Sequence, residues 1–207
     1  MFIIASWGSH LIACRSHILK GKKGAVVSPS QLNERWFLNR KPPNLKNINL
    51  LYVGRIKIEK GVLSLIKILN KVKLDFKFSI INSESLHDKK LESNKIRIRN
   101  FQNRDDSIIG IYDDHNIFIL PSYTEGHPQV LDESLSRLRP VIIFPEISHT
   151  KRNREGVFLT ERSSESLSKQ IEYIMKNYEI IQKKMFENKL PKKEDFLRQI
   201  LEIVKSN

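Results

Sequence analysis

Cysteine is almost missing from this chain of 207 residues, Cys14 being the sole thiol. A single thiol closes no internal disulfide and lacks the partners of a Cys-rich metal site. A disulfide scaffold is therefore excluded, and a reducing compartment, the cytoplasm, fits. Long apolar runs are missing as well: none approaches the roughly 20 residues that a membrane-spanning helix requires. The leading "MFIIASWGSHLIAC" is broken by Gly8, Ser9 and His10 and has no basic region ahead of it, which makes a poor signal peptide. There is no internal repeat and no low-complexity segment. A soluble or membrane-peripheral protein is expected.

What is present suits a packed core. Apolar residues make up 40%, with ten Phe, five Tyr and two Trp, enough for one large domain or one and a half small ones. The formal charge of +13 is uneven along the chain. Residues 1–60 hold 11 Lys and Arg against 2 Asp and Glu, whereas residues 61–150 hold 12 against 12. A basic leading segment suits an anionic membrane surface or an acidic partner, or is plain solvated charge. Nucleic-acid binding is disfavoured, because the aromatic residues form no stacking stripe beside the basic ones.

Periodicity places the elements. "NINLLYVGRI" (47–56) reads as a buried strand ending at Gly54, and "EKGVLSLIKILNKV" follows as a helix with Val62, Leu65, Ile66 and Leu69 on one face. "FKFSII" (76–81), "KIRIRNF" (95–101) and "HNIFILPS" (115–122) read as strands. "PQVLDESLSRL" (128–138) is a helix with Pro128 in its first turn, and "RPVIIF" (139–144) a further strand. Two helices finish the chain, "SESLSKQIEYIMKN" after a capping serine and "KKEDFLRQILEIVKS" after Pro191. Strands alternating with helices indicate an α/β fold: a Rossmann-like parallel sheet with helices on both faces. The divisions expected are 1–48, 49–177 and 178–207.

In such a sheet ligands bind where strand ends meet helix N-termini. Arg55 and Lys60 stand there beside Gly54 and Gly61 and suit a diphosphate, helped by the free N–H groups of a helix opening near Pro128. Glu125 sits on the loop after the fourth strand and Glu133 lies in the next helix. Two carboxylates so placed suit the hydroxyls at opposite ends of a nucleotide-sugar. Solvated charge is the alternative for each residue taken alone. His127 suits either a donor contact or a hydrogen bond that fixes its loop. His115 and His149 lack metal-ligand spacing. Asp113 and Asp114, ahead of "HNIFIL" at the opposite end of the sheet, read as turn chemistry. Ser6, His10 and Cys14 have no strand-turn-helix elbow around them, so nucleophilic hydrolysis is not expected.

The segments "VGRIKIEKG", "LPSYTEGHPQVLDES" and "RPVII" resemble, in that order, the group 1 family of retaining glycosyltransferases, over about residues 50 to 175. The resemblance implies the C-terminal, donor-binding half of a two-domain GT-B fold. It implies that Arg55 and Lys60 hold the donor diphosphate, that Glu125 contacts the donor sugar, and that Glu133 contacts the nucleotide ribose. Glu125, Arg55 and Lys60 then count as catalytic, and the donor contacts comprise Gly54, Arg55, Lys60, Glu125, Gly126, His127, Pro128, Gln129, Val130 and Glu133. It further implies a nucleotide-diphospho-sugar as co-substrate, no metal or other cofactor, and a glycan or lipid-linked acceptor of an envelope polymer. The chain departs from the pattern at "NSESLHD" after the second strand, at "SRLRP" ahead of the fifth, and in length. Residues 1–48 are expected to hold only the end of an N-terminal domain and its linker, so the chain reads as truncated. It is then an enzyme, a donor half served by a separate N-terminal half, or a nucleotide-sugar-binding module without transfer activity.

Overall fold

The computed structural model describes residues 11–14, 19–82, 91–100 and 107–205. Most of "FIIASWGSHLI", with Ser6 and His10, and residues 83–88 of "NSESLHD" lie outside the described residues. Among the described residues two short strands come first, β1 (Leu11–Ala13) and β2 (Gly24–Val26), paired in parallel. The main sheet has six strands: β3 (Ile48–Val53), β4 (Phe76–Asn82), β5 (Ile96–Asn100), β6 (Ile117–Leu120), β7 (Val141–Ile143) and β8 (Val157–Leu159). Their order is β5-β4-β3-β6-β7-β8, and each of the five ladders is parallel.

That order carries the Rossmann-like reading. From β3 the chain moves outward to β4 and β5, then returns to lay β6 against the other edge of β3 and moves outward again through β7 and β8. The direction of travel reverses between β3 and β6. With right-handed crossovers, helices connecting the two halves fall on opposite faces of the sheet. The helices are α1 (Val62–Leu69), α2 (Ser107–Asp113), α3 (Gln129–Ser136), α4 (Ser164–Lys176), α5 (Tyr178–Met185) and α6 (Lys193–Lys205).

Local pattern explains each element. All four residues of β6 are buried, as a central parallel strand covered on both faces requires. In α1 the four apolar residues at three- and four-residue spacing, Val62, Leu65, Ile66 and Leu69, are the buried ones, each contributing about 2 kcal/mol by removal from water. The Ser163 side chain accepts from the Ser166 N–H and starts α4. Five of the described elements escaped the periodicity reading. β1, β2 and β8 are only three residues long, α2 ("SIIGIYD") carries Gly110 at its middle, and α5 follows α4 with only Asn177 between them. The core also takes in Leu32 and Trp36 ahead of the first main strand and Tyr178, Ile181 and Met185 after α4.

The reading of Asp113 as turn chemistry is corrected here. Asp113 ends α2 and is buried, and both its carboxylate oxygens accept from Arg137, at 2.9 Å from Nε and 2.7 Å from Nη2. Asp114 is exposed, 3.8 Å from Lys41. The remaining donors of Arg137 go to the carbonyls of Trp36, Leu38 and Asn39. Arg139, also buried, donates to the carbonyls of Lys41, Tyr112, Arg137 and Asp113. The two arginines of "SRLRP" therefore fasten residues 36–41 to the junction of α2 and α3. Leu138 between them adopts a left-handed backbone (φ 56), a conformation costing a non-glycine residue on the order of 1 kcal/mol, held here by the buried side chains around it.

Removing one partner of a buried pair leaves the other charge uncompensated. Asp113→Ala is expected to lower unfolding stability by about 3–5 kcal/mol, and Asp114→Ala to stay within about 0.5 kcal/mol of wild type. Urea midpoints of the two variants, measured side by side, check this.

Candidate functional site

The reversal between β3 and β6 leaves a crevice at the carboxyl ends of these strands, the place where open parallel sheets bind ligands. A cleft of about 360 Å³ lies there. Its walls include Gly54, Arg55, Lys60, Glu125, His127, Pro128, Gln129 and Val130, so residues up to 76 positions apart in sequence come together there.

Two loops meet above the crevice. The loop after β3 tightens into a 3-10 turn at Ile58–Lys60, and Gly61 follows with φ 66. A side chain at Gly61 is excluded twice over, since a Cβ there would stand 2.0 Å from the Pro121 carbonyl oxygen. The Tyr123 N–H closes the contact by donating to the Glu59 carbonyl at 2.9 Å. Gly54, at φ 149, turns the chain out of β3 beneath the Tyr52 ring, whose hydroxyl donates to the Arg55 carbonyl at 2.7 Å. From the other side Arg162 holds the β6 loop: Nη2 donates to the carbonyls of Pro121 and Ser122, while the guanidinium stacks over Tyr123 and Phe144 at 4.2 and 4.4 Å from the ring centres.

Within this frame Lys60 Nζ donates to Glu125 Oε1 at 2.7 Å, and the Ser122 hydroxyl donates to the same oxygen at 2.7 Å. The backbone of Glu125 is held too, its carbonyl 2.9 Å from His149 Nε2. Glu125 is thus fixed in place, with Lys60 as its counter-ion. Arg55 stands exposed on the cleft wall with no ion-pair partner among the described residues. A Cβ at Gly126 would meet nothing within 4 Å, so the protein's own packing leaves open space at that point. Pro128 caps α3 and Gln129 is its first helical residue, which leaves the N–H groups of Gln129 and Val130 without intrahelical acceptors.

Three positions are placed differently from a simple row of donor contacts. The Gln129 amide is engaged by the leading segment: Nε2 donates to the Pro29 carbonyl at 2.8 Å and Oε1 accepts from the Gln31 N–H at 3.2 Å. His127 has its Nε2 3.2 Å from Asp132 Oδ2 and its Nδ1 3.2 Å from Arg152 Nη2. That supports the loop-fixing alternative for this imidazole. Glu133 stands off the cleft wall, a turn into α3, with Oε2 accepting from the Tyr112 hydroxyl at 2.8 Å. Burial raises the Glu133 pKa above its ordinary value, and the hydrogen bond from Tyr112 only partly opposes this. Burial likewise raises the Tyr112 pKa, with the Glu133 charge adding to it. Ser122, Tyr112, Asp132, His149, Arg152 and Arg162 support the site, yet sequence reasoning missed these roles. Only Ser122 carried a signal, within the "PSYTEG" frame.

The chain is similar to several known proteins. An uncharacterized glycosyltransferase of Haemophilus influenzae is 27% identical over 189 residues, covering 86% of this chain and 52% of that protein. The chain thus spans about half the length of the curated relative. Among solved structures, a glycosyltransferase from Rickettsia africae superimposes with a TM-score of 0.76 at 22% identity, over 97% of this chain and 64% of the other. Anabaena HepE, in complex with UDP and glucose, gives 0.75 at 14% identity, over 96% and 64%. Both show the same fold, a Rossmann-like parallel sheet of the kind found in GT-B glycosyltransferases. The sequence profile of the glycosyl transferases group 1 family matches residues 34–192, and the chain belongs to that family.

Proposed function

We propose that this chain is the donor-binding half of a retaining glycosyltransferase, binding a nucleotide-diphospho-sugar in the crevice between β3 and β6. The observation carrying the reading is the convergence of Arg55, Lys60, the α3 N-terminus and the fixed Glu125 carboxylate on one cleft. The donor diphosphate lies between Arg55, Lys60 and the N–H groups of Gln129 and Val130, where charge-assisted bonds are strongest. Lys60 exchanges Glu125 for a phosphate oxygen, which leaves the Glu125 carboxylate, still anchored by Ser122, to accept hydroxyls of the donor sugar. Glu133 accepts the ribose hydroxyls at the other end.

In the transfer the anomeric C–O bond to the diphosphate breaks, a C–O bond to the acceptor hydroxyl forms on the same face, and the hydroxyl proton leaves with the diphosphate. Arg55 and Lys60 stabilise the negative charge that builds on the departing diphosphate, a role that requires no metal. HepE was solved with UDP and glucose, which makes UDP the first nucleotide to try. The acceptor is a glycan or a lipid-linked saccharide, bound by an N-terminal half. Two observations support such a half: among the described residues β1 and β2 form a sheet of two strands, and α6 exposes Leu197, Leu201 and Val204 along one side. No helix among the described residues is long and apolar enough to cross a membrane. The basic leading segment supports peripheral contact with the inner face of the membrane, on the cytoplasmic side.

Isothermal titration with UDP, GDP and their sugar conjugates tests the donor site. Wild type is expected to bind one of the nucleotide families, and Arg55→Ala/Glu133→Ala to bind at least about tenfold more weakly. A folded wild type that binds none of them, or a double variant that binds as well as wild type, sinks the reading. A second expectation comes from burial at Glu133. Because its pKa is raised in the folded state, its contribution to stability is present below the ordinary carboxylate range and is lost as pH rises through the raised value. Glu133→Gln, whose amide oxygen still accepts from Tyr112, is expected to melt higher than wild type at pH 7. The advantage should fade as the buffer is made acidic, and the variant should bind donor more weakly at every pH. Melting curves from pH 4 to 8 check the sign.

A further inference from the structure

A second cleft, of about 510 Å³, is linked to the donor cleft by the contact between Arg152 and His127. The two share a wall. His127 lines the donor cleft, and its Nδ1 meets Arg152, which lines the second one. Three segments enclose this second space: the leading segment at Ser28, the loop Arg152–Arg154, and the stretch from Lys189 to Gln199 that opens α6.

Its construction is specific. Arg154 is spent on the wall, donating to the Asp132 carboxylate and to the carbonyls of Lys151 and Thr150. Arg198 pairs with Asp195 one turn earlier on α6, the one carboxylate among the lining residues. Arg152 and Lys189 then remain as exposed cations with no acidic partner among the described residues. Leu190, Pro191 and Phe196 supply an apolar surface between them. The walls are also stapled to one another, with the Ser30 hydroxyl donating to the Pro191 carbonyl at 2.6 Å and the Lys193 N–H to the Leu32 carbonyl at 2.8 Å. Gln129 ties the same leading segment to the donor cleft.

A space with guanidinium and ammonium donors on its rim and an aromatic ring within it suits a ligand that is both anionic and carbon-rich. We propose that this cleft is an acceptor subsite that takes a phosphate group: Arg152 and Lys189, joined by Arg198 as it exchanges Asp195 for the ligand, hold the phosphate oxygens, and Phe196 with Leu190 packs against the attached sugar or chain. This rests on the donor reading above, since the subsite matters for transfer only if the sugar to be moved lies across His127. Its placement adds what the family resemblance does not contain, a contact to the acceptor made by the donor half itself.

Pyrophosphate is the probe, titrated into an Arg55→Ala/Lys60→Ala protein so that the donor cleft cannot supply the binding. The expected result is saturable binding in that background, weakened about tenfold when Lys189→Gln and Arg198→Gln are added, both substitutions being of exposed residues. No binding in the first background, or binding indifferent to the second pair of changes, overturns the proposal. Because Arg55 and Lys60 are absent throughout, neither result depends on whether wild type binds a nucleotide-sugar, so the two readings fail separately. Cosedimentation with phosphatidylcholine vesicles containing phosphatidic acid assigns the source. Loss of cosedimentation in the Lys189/Arg198 variant indicates a lipid-borne phosphate, whereas pyrophosphate binding without cosedimentation indicates a water-soluble phosphorylated saccharide.

Discussion

The site depends on the adjacency of β3 and β6. These strands are distant in sequence, and the chain must build a β4–β5 wing before returning to place β6 on the free edge of β3. Because travel reverses there, the loops leaving the two strands turn to opposite faces, and a crevice opens between them that no side chain of the sheet fills. The close approach of Gly61 to the Pro121 carbonyl then fixes how far apart the loops stand. Lys60 and Glu125 face each other across 2.7 Å because the strands beneath them are neighbours.

A second constraint comes from the end of α3. Arg137 and Arg139 are completely buried, an arrangement that is costly unless every donor finds an acceptor. Both arginines are supplied by the Asp113 carboxylate and by backbone carbonyls of residues 36–41 and 112–113. The leading segment is thereby locked against the helix whose N-terminus faces the cleft between β3 and β6. The same α3 is held at its start by Gln129 on residues 29 and 31. A helix tied at both ends presents its first N–H groups in a fixed direction, the preorganisation that anion binding rewards.

The site also shows where stability is given up. Glu133 is kept half-buried against Tyr112 with its pKa raised, an unfavourable position for a carboxylate unless it serves a ligand. Asp132, its neighbour, is buried as well, yet it is answered by Arg154 and His127. Two adjacent acids on one helix thus differ in their surroundings: Asp132 is paired with cationic groups, whereas Glu133 is met by the neutral Tyr112 hydroxyl.

Much of this was legible in the sequence. The strand and helix periods of residues 47–81 and 115–144 follow from burial on one or two faces, and the "EGHP" and "EKG" segments announce a loop and a helix start. The sequence alone therefore determined the fold class, the polarity of each long element and the candidate cations and carboxylates. It did not disclose β8 or α2, which are too short or too glycine-broken to show a period. Nor did it disclose that Asp113 is buried, because a charge ahead of a strand looks like turn chemistry until its partner is seen. Strand order, the pairing of Asp113 with Arg137, the engagement of Gln129 and His127, and the second cleft were decided only by tertiary structure. Each depends on residues from separate elements meeting in space, and local propensity carries no information about such meetings.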